Sequence, residues 1–355
     1  MVVRLKNGSV VRDRELVFLA RGGQLLKVRG VDLEIGDWVG LPYGEGFPAE
    51  SWATFTMPLS PRYGPQKDIK APTRVYKDLA LLLGMYAAEG HTSRSNYSIV
   101  ITNAEEPVLQ LCAELWQRCF GLSARIVRPR DRCPAVVVNS KAVTEVFTEL
   151  ECGTRASDKR VPWAVMGSSF SVVKAFLQGL ALDAYTSTTG RNAKWAICVD
   201  SPELLDDLQL LLRWWGLKSG RISKWNPRYG KAYDEVFLCG AEAQRFLAEV
   251  PFLEPSKQPS AERLMAMTFD ARRNGADVVP IFHGSALHAL IPKGISGRAG
   301  KGTRTSQWRS LCDPRTVWPS RGMVERLASA GLSLPPEVKQ VLSEGLHFSP
   351  VTRMD

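Results

Sequence analysis

A unit of about 95 residues is written twice in the middle of the chain, and that duplication limits the possible architecture more than any other feature. The first copy opens on an apolar helix at 79–90 (LALLLGMYAAEG). A hairpin ending in a strand at 97–102 follows, then a long helix at 105–120 closed by Gly121. Strands at 123–128 and 135–139 and a short helix at 141–150 complete it. The second copy repeats the order: a helix at 172–183 (VVKAFLQGLALD), a strand at 194–199 and a helix at 202–215 closed by Gly216. Strands at 220–224 and 235–238 and a helix at 241–250 then end it. Gly84 and Gly179 stand 95 residues apart, as do Gly121 and Gly216. Leu follows each helix-closing glycine, the pattern of a left-handed cap with an apolar contact behind it. An αββαββα order given twice predicts a mixed α/β (α+β) domain with pseudo-twofold symmetry.

The opening helices are apolar nearly all round, so both are expected to be buried on most sides. Small residues (Gly84, Ala87, Ala88 and Gly90; Gly179, Ala181 and Ala184) let two backbones approach closely. Each helix then ends in a carboxylate, Glu89 and Asp183. A helix C-terminus is already negative, so two acids there call for a cation. Side by side they suit a divalent metal held by oxygen. Taken singly, each acid could simply mark where its helix reaches water; the duplication favours the paired reading.

The formal net charge is +10 and the pI about 9.3, which favours a polyanionic partner. No apolar run reaches the length of a membrane span, and 1–6 lack the apolar stretch of a secretory signal. The seven cysteines never occur as CxxC, and all are expected to be buried, reduced thiols of a cytosolic protein. His283 and His288 have no Cys or acid at ligand spacing, so zinc is not expected.

Leu82–Gly90 (LLGMYAAEG) closely resembles the first motif of the LAGLIDADG homing endonucleases, with Glu89 at the position of the metal-binding acid. The segment 176–184 (FLQGLALDA) resembles the second motif, but its acid, Asp183, falls one residue early relative to Gly179. One residue is about 100° of helix, so Asp183 reaches a shared metal only if the helix end unwinds or bulges. The resemblance spans 72–252. It implies repeats at 72–150 and 169–252, joined by a linker at 151–168 and preceded by one at 46–71.

The flanks resemble an intein splicing (Hint-like) domain: 3–42 its late half, 346–355 the strand that returns to it. Arg12 and Glu15 stand where that family has a Thr-x-x-His signature, and neither a first nucleophile nor a terminal His-Asn is present, so splicing is not expected. Segment 1–45 then reads as a partial Hint-like domain and 253–345 as an accessory DNA-contacting subdomain. Helices are expected at 260–273, 322–330 and 336–344.

The family comparison implies a monomeric, metal-dependent endonuclease cutting double-stranded DNA at a long asymmetric target, with Glu89 and Asp183 holding Mg²⁺. Mn²⁺ would substitute and Ca²⁺ would support binding without cleavage. Lys231 and Arg132, in equivalent turns, are the candidate catalytic cations, although each could be a phosphate clamp or a solvated charge. DNA contacts are expected from Arg94, Asn96, Tyr97, Arg125, Arg128 and Arg130 in the first repeat. The second would use Thr188, Arg191, Lys194, Arg221, Lys224, Trp225, Asn226, Arg228 and Tyr229. A Gly-rich basic stretch adds Lys293, Arg298, Lys301 and Arg304, since Gly allows close approach and Lys or Arg neutralises phosphate. The alternative is a catalytically degenerate nucleic-acid binder or RNA maturase of the same fold. The expected location is the cytoplasm, on nucleoid DNA when bound.

Overall fold

The computed structural model describes residues 2–56, 69–70, 72–189, 193–227, 230–269, 277–283, 286, 318–329 and 331–355. The chain forms two compact units: Met1–Gly44 with Asp270–Asp355, and Glu45–Phe269. The first unit begins with five strands: β1 (Val2–Leu5), β2 (Val10–Arg12), β3 (Leu16–Arg21), β4 (Gln24–Arg29) and β5 (Trp38–Pro42).

The second unit holds the duplication. Helix α1 (Lys77–Glu89) is followed by β6 (Gly90–Ser93), β7 (Ser98–Thr102), α2 (Glu106–Phe120), β8 (Arg125–Val127), β9 (Ala135–Asn139) and α3 (Lys141–Glu149). A short helix, α4 (Trp163–Met166), leads into α5 (Phe170–Leu180), which tightens into a 3₁₀ turn at Ala181–Asp183. Then come β10 (Ala184–Ser187), β11 (Lys194–Val199), α6 (Pro202–Trp214), β12 (Ser219–Asn226), β13 (Lys231–Cys239), α7 (Ala241–Glu249) and α8 (Gln258–Met265). The two four-stranded sheets are antiparallel and have matching orders, β6-β7-β9-β8 and β10-β11-β13-β12. This is the mixed α/β core that the repeat predicts. Each second helix ends as its glycine requires. Gly121 has φ 68° and donates to the Gln117 carbonyl at 2.9 Å; Gly216 has φ 81° and donates to the Arg213 carbonyl at 2.9 Å.

One continuous core fills this unit, and it takes in segments expected to be linkers. Ala53 and Phe55 are buried in it, and so are Cys152, Val161, Ala164 and Val165. Their apolar side chains have somewhere better to go than water. The unit also runs on to Phe269, beyond the end at 252 that the repeat suggests.

The first unit resumes in α9 (Arg321–Ser329), α10 (Pro336–Ser343) and β14 (Leu346–Met354). Strand β14 inserts between β1 and β5 in an antiparallel sheet of order β2-β1-β14-β5-β3-β4. Two smaller cores sit in this unit, one of them around Val279, Val324, Val338 and Phe348. The expected basic contacts Lys293, Arg298, Lys301 and Arg304 lie outside the described residues. Among the described residues every cysteine is free, but only Cys112, Cys119 and Cys152 are buried. Cys198 is half-buried, and Cys133 and Cys239 are exposed because one precedes β9 and the other ends β13; Cys312 lies outside the described residues.

Candidate metal and nucleic-acid site

Helices α1 and α5 meet at their glycines. A Cβ on Gly84 would overlap the carbonyl oxygen of Phe176, and one on Gly179 would overlap the carbonyl of Leu81 and the amide of Met85. Backbone touches backbone there, which only glycine permits. The crossing sets a common origin from which both helices run to their acids.

The one-residue offset of Asp183 is absorbed by the 3₁₀ turn. From Gly84 to Glu89 there are five α-helical steps, about 500° of rotation and about 7.5 Å of rise. From Gly179 to Asp183 there is one α step and then three 3₁₀ steps, giving about 460° and again about 7.5 Å. Four purely α-helical steps would give about 400° and about 6 Å, aiming the carboxylate elsewhere. The local change of helix type therefore restores the whole of the missing rise and about 60° of the missing 100° or so of rotation.

Both acids are partly buried. Burial raises Asp183 most, the charge of Glu89 adds to it, and its pKa is pushed up to about 7. Burial also raises Glu89; against this, the Thr102 hydroxyl donates to Glu89 Oε2 at 3.3 Å. A third acid, Glu254, worsens the repulsion at both. One lysine eases it at both: Lys257 donates to the Leu182 carbonyl at 2.6 Å and is ion-paired with Glu254. Asn103 donates to Glu254 Oε1 at 3.3 Å and completes the cluster.

Neither Glu254 nor Lys257 is foreseen from the repeat. They follow its second copy, on the turn Pro255–Lys257 that the chain makes on its way into α8. The only signal for them is the physical demand for a cation beside two helix-end acids. Lys231, by contrast, is ion-paired with Asp200 on an exposed hairpin. Arg132 is exposed in the turn before β9.

Two carboxylates suit a hard divalent cation, which usually takes one or two protein acids and fills its other positions with water and substrate phosphates. Among the described residues no group of three or more His, Cys, Asp or Glu side chains is arranged to hold a metal by itself. The oxygen pair fits a hard divalent cation completed by water and phosphate, and it does not fit a closed zinc site.

The sheets carry the expected nucleic-acid contacts unevenly. Arg94, Asn96, Arg125 and Arg130 are exposed, and Tyr97 is exposed at the tip of the β6–β7 hairpin. Arg128 is paired with Glu106 at 2.6 Å. Thr188 is half-buried, and Trp225 is exposed near the end of β12 beside Asn226. Lys194 and Lys224 both bind the carboxylate of Glu235, which is itself 1% exposed. Arg221 cannot serve as a contact in this arrangement. Its side chain is 6% exposed and is held by Asp206 at 2.5 Å and Asp234 at 2.7 Å, because the β12 alternation turns it inward. Arg191, Arg228 and Tyr229 lie outside the described residues. His91 is on the open face of β6, and burial followed by the charge of Lys159 lowers its pKa.

Residues 77–150 match a family model described as a LAGLIDADG-like domain. Curated relatives include the replication factor C small subunit of Methanocaldococcus jannaschii, 28% identical over 211 residues, covering 58% of this chain and 11% of that one. A DNA polymerase of Thermococcus sp. (strain GE8) is 31% identical over 155 residues, 42% of this chain and 9% of that one. An A-type ATP synthase component of Methanopyrus kandleri is 27% identical over 233 residues, 65% and 21%. The chain thus spans about a fifth or less of the length of these relatives. Similar solved structures include mesophilic variants of the homing endonuclease I-DmoI, at 18% identity, covering 50% of this chain and 98% of that one with a TM-score of 0.38. Full-length DUF199/WhiA from Thermatoga maritima is 12% identical, covering 76% and 88% with a TM-score of 0.36.

Proposed function

We propose that the chain is a site-specific endonuclease that hydrolyses phosphodiesters in double-stranded DNA with Mg²⁺, a reading supported by the match of residues 77–150 to the LAGLIDADG-like domain model. The observation that carries this reading is the backbone contact of α1 and α5 at Gly84 and Gly179, from which each helix runs to an acid, Glu89 and Asp183, near enough for the charge of Glu89 to raise Asp183. Glu89 and Asp183 would hold the metal; when bound, it supplies hydroxide near neutral pH and stabilises charge on the departing oxygen. The chain's own residues keep that position ready. Thr102 fixes the Glu89 carboxylate, and Lys257 anchors the Asp183 turn through the Leu182 carbonyl. Lys257 is also the cation whose charge reaches both acids, so it is the side chain placed to offset charge on a scissile phosphate. Both repeats lie in one chain, so a monomer suffices, and unequal repeats call for an asymmetric target.

An intein ancestry accompanies this reading. Relatives named as a replication factor component, a DNA polymerase and an ATP synthase component have no activity in common by name. Each is matched over at most 21% of its length. A segment shared in that way is what an element inserted into unrelated hosts leaves behind.

A second reading, a DNA- or RNA-binding relative that does not cut, is favoured by the same Lys257, which already places a positive charge among the acids. Incubating the chain with a randomised double-stranded library in Mg²⁺ or Ca²⁺, and sequencing cut ends and retained DNA, separates the two. Cuts at one recurrent site in Mg²⁺ alone, lost in both Glu89→Gln and Asp183→Asn, support the nuclease. A selected site that is never cut supports the binder.

A further inference from the structure

The open faces of the two sheets differ at equivalent positions. Counting from the acids, Gly90 pairs with Ile101 and Ala184 with Ile197, which fixes the correspondence of the strands. Thr102 and Ala135 of the first repeat then match Cys198 and Glu235 of the second. Val127 matches Ile222, Val137 matches Phe237, and Ser98 matches Lys194.

In the first sheet the inward face is carried by Ile99, Ile101, Val136 and Val138, all at most 3% exposed. Alternation puts Val100, Val137 and Val127 on the opposite face: Val100 lies across from Val137, whose partner on β8 is Arg125, and Val127 lies two residues along, across from Ala135. Val100 and Val137 are half-buried and Val127 is 39% exposed, so this face is an apolar strip. Arg125 and His91 border it. In the second sheet the same face carries a fixed charge cluster. Glu235 accepts from Lys194, from Lys224 at 2.5 Å and from the Tyr185 hydroxyl at 2.5 Å. The side chains of Lys194 and Lys224 remain 19% and 46% exposed, so each ammonium keeps donors for an outside acceptor.

We propose that the two repeats read half-sites of different composition: thymine methyl groups under the valine strip of the first sheet, and guanine edges under Lys194 and Lys224 of the second. This rests on the proposed reading of the chain as a site-specific double-stranded DNA endonuclease, with the open faces of its two sheets laid in the major groove. The thymine C5-methyl is the groove's apolar group, and guanine N7 and O6 are the acceptors a lysine pairs with most often. Glu235 does not reach the groove floor itself. It holds two lysines at fixed positions, so they need not be ordered on binding.

The test uses the whole chain in Ca²⁺. A site selected from random duplex DNA is expected to show thymine enrichment in one half and guanine enrichment in the other. Replacing thymine by uracil should weaken binding about fourfold per methyl removed, in the first half only. Replacing guanine by 7-deazaguanine should weaken it about tenfold, in the second half only. Lys194→Met, and separately Lys224→Met, should erase guanine preference from that same half, which assigns it to the second repeat. A selected site indifferent to both base analogues, or one with the same composition in both halves, overturns the half-site assignment while leaving DNA binding intact. Failure to select any duplex overturns the assignment together with the reading beneath it.

Discussion

Lys159 is 1% exposed, its ammonium has no hydrogen-bond acceptor, and its Nζ lies 3.0 Å from the centre of the Tyr86 ring. Burial lowers its pKa from 10.5 to about 7, against the smaller opposing pull of Cys152 and Asp158. Between those two pH values the unfolded chain binds a proton that the native one lacks, so stability rises with pH across the window. The buried thiols of Cys112 and Cys152, pushed up to about 12, act in the opposite sense above their ordinary range near 9. The useful window therefore runs from pH 7 to about 9. Urea midpoints should climb over it in the native chain, whereas Lys159→Met should be more stable at pH 7 and lose the climb. Parallel curves for the two proteins would mean that Lys159 stays charged. Lys257 has the reverse part: three carboxylates depend on it. Lys257→Met should cost about 2 kcal/mol without metal, as for a lost hydrogen bond to a charged group. A ligand that binds only the folded state stabilises it, and here the divalent cation would replace a missing charge. Ca²⁺ should therefore raise the melting temperature of the variant more than that of the native chain; an equal rise would remove Lys257 from the metal's surroundings.

At the scale of elements, the crossing of α1 and α5 is the feature most exposed to a single atom. Gly84→Ala or Gly179→Ala forces a methyl into a carbonyl of the partner helix. Overpacking of this kind typically costs 1–3 kcal/mol, and backbone on both sides leaves little room to relax. A drop in urea midpoint of at least that size is expected for either variant. A neutral result would show that the helices can separate. These glycines are legible in the sequence, because a 95-residue interval between them and their small-residue neighbours imply close helices. The order of strands and helices is legible for the same reason. The turn that rescues Asp183 is not: an α-helix tightening into 3₁₀ over Ala181–Asp183 leaves no mark in residue type. Strand β10 escapes as well, since four residues (AYTS) carry too little alternation to announce a strand. Lys257 lies beyond the repeat, where nothing in the spacing relates it to Glu89. Arg221 reads as a DNA contact because a charged residue on a strand looks exposed until its acidic partners, Asp206 and Asp234, are placed beside it.

For the molecule as a whole, the apolar side chains sort into separate cores. The large one belongs to Glu45–Phe269 and two smaller ones to the unit made from both ends of the chain. Each such core melts cooperatively by itself when few contacts bind it to its neighbour. The unit built from both ends hangs on β14, which pairs with β1 along one edge and β5 along the other. Without β14 the six-stranded sheet divides into β2-β1 and β5-β3-β4, and Leu346, Phe348 and Val351, all at most 5% exposed, leave two cores at once. Losing three large buried side chains costs several kcal/mol, at roughly 2 kcal/mol or more each. That is as much as a small unit has in total stability. Deleting residues 346–355 should therefore abolish one calorimetric transition and preserve the other, because the core around Trp116, Phe176 and Trp195 contains no residue from that strand. Limited proteolysis of the truncated chain should then release a resistant fragment close to Glu45–Phe269. That fragment carries Glu89, Asp183, Glu254 and Lys257 together, so the metal-dependent melting shift should persist in it. A single shared transition in the full chain, lost altogether on deletion, would show instead that the two units fold as one.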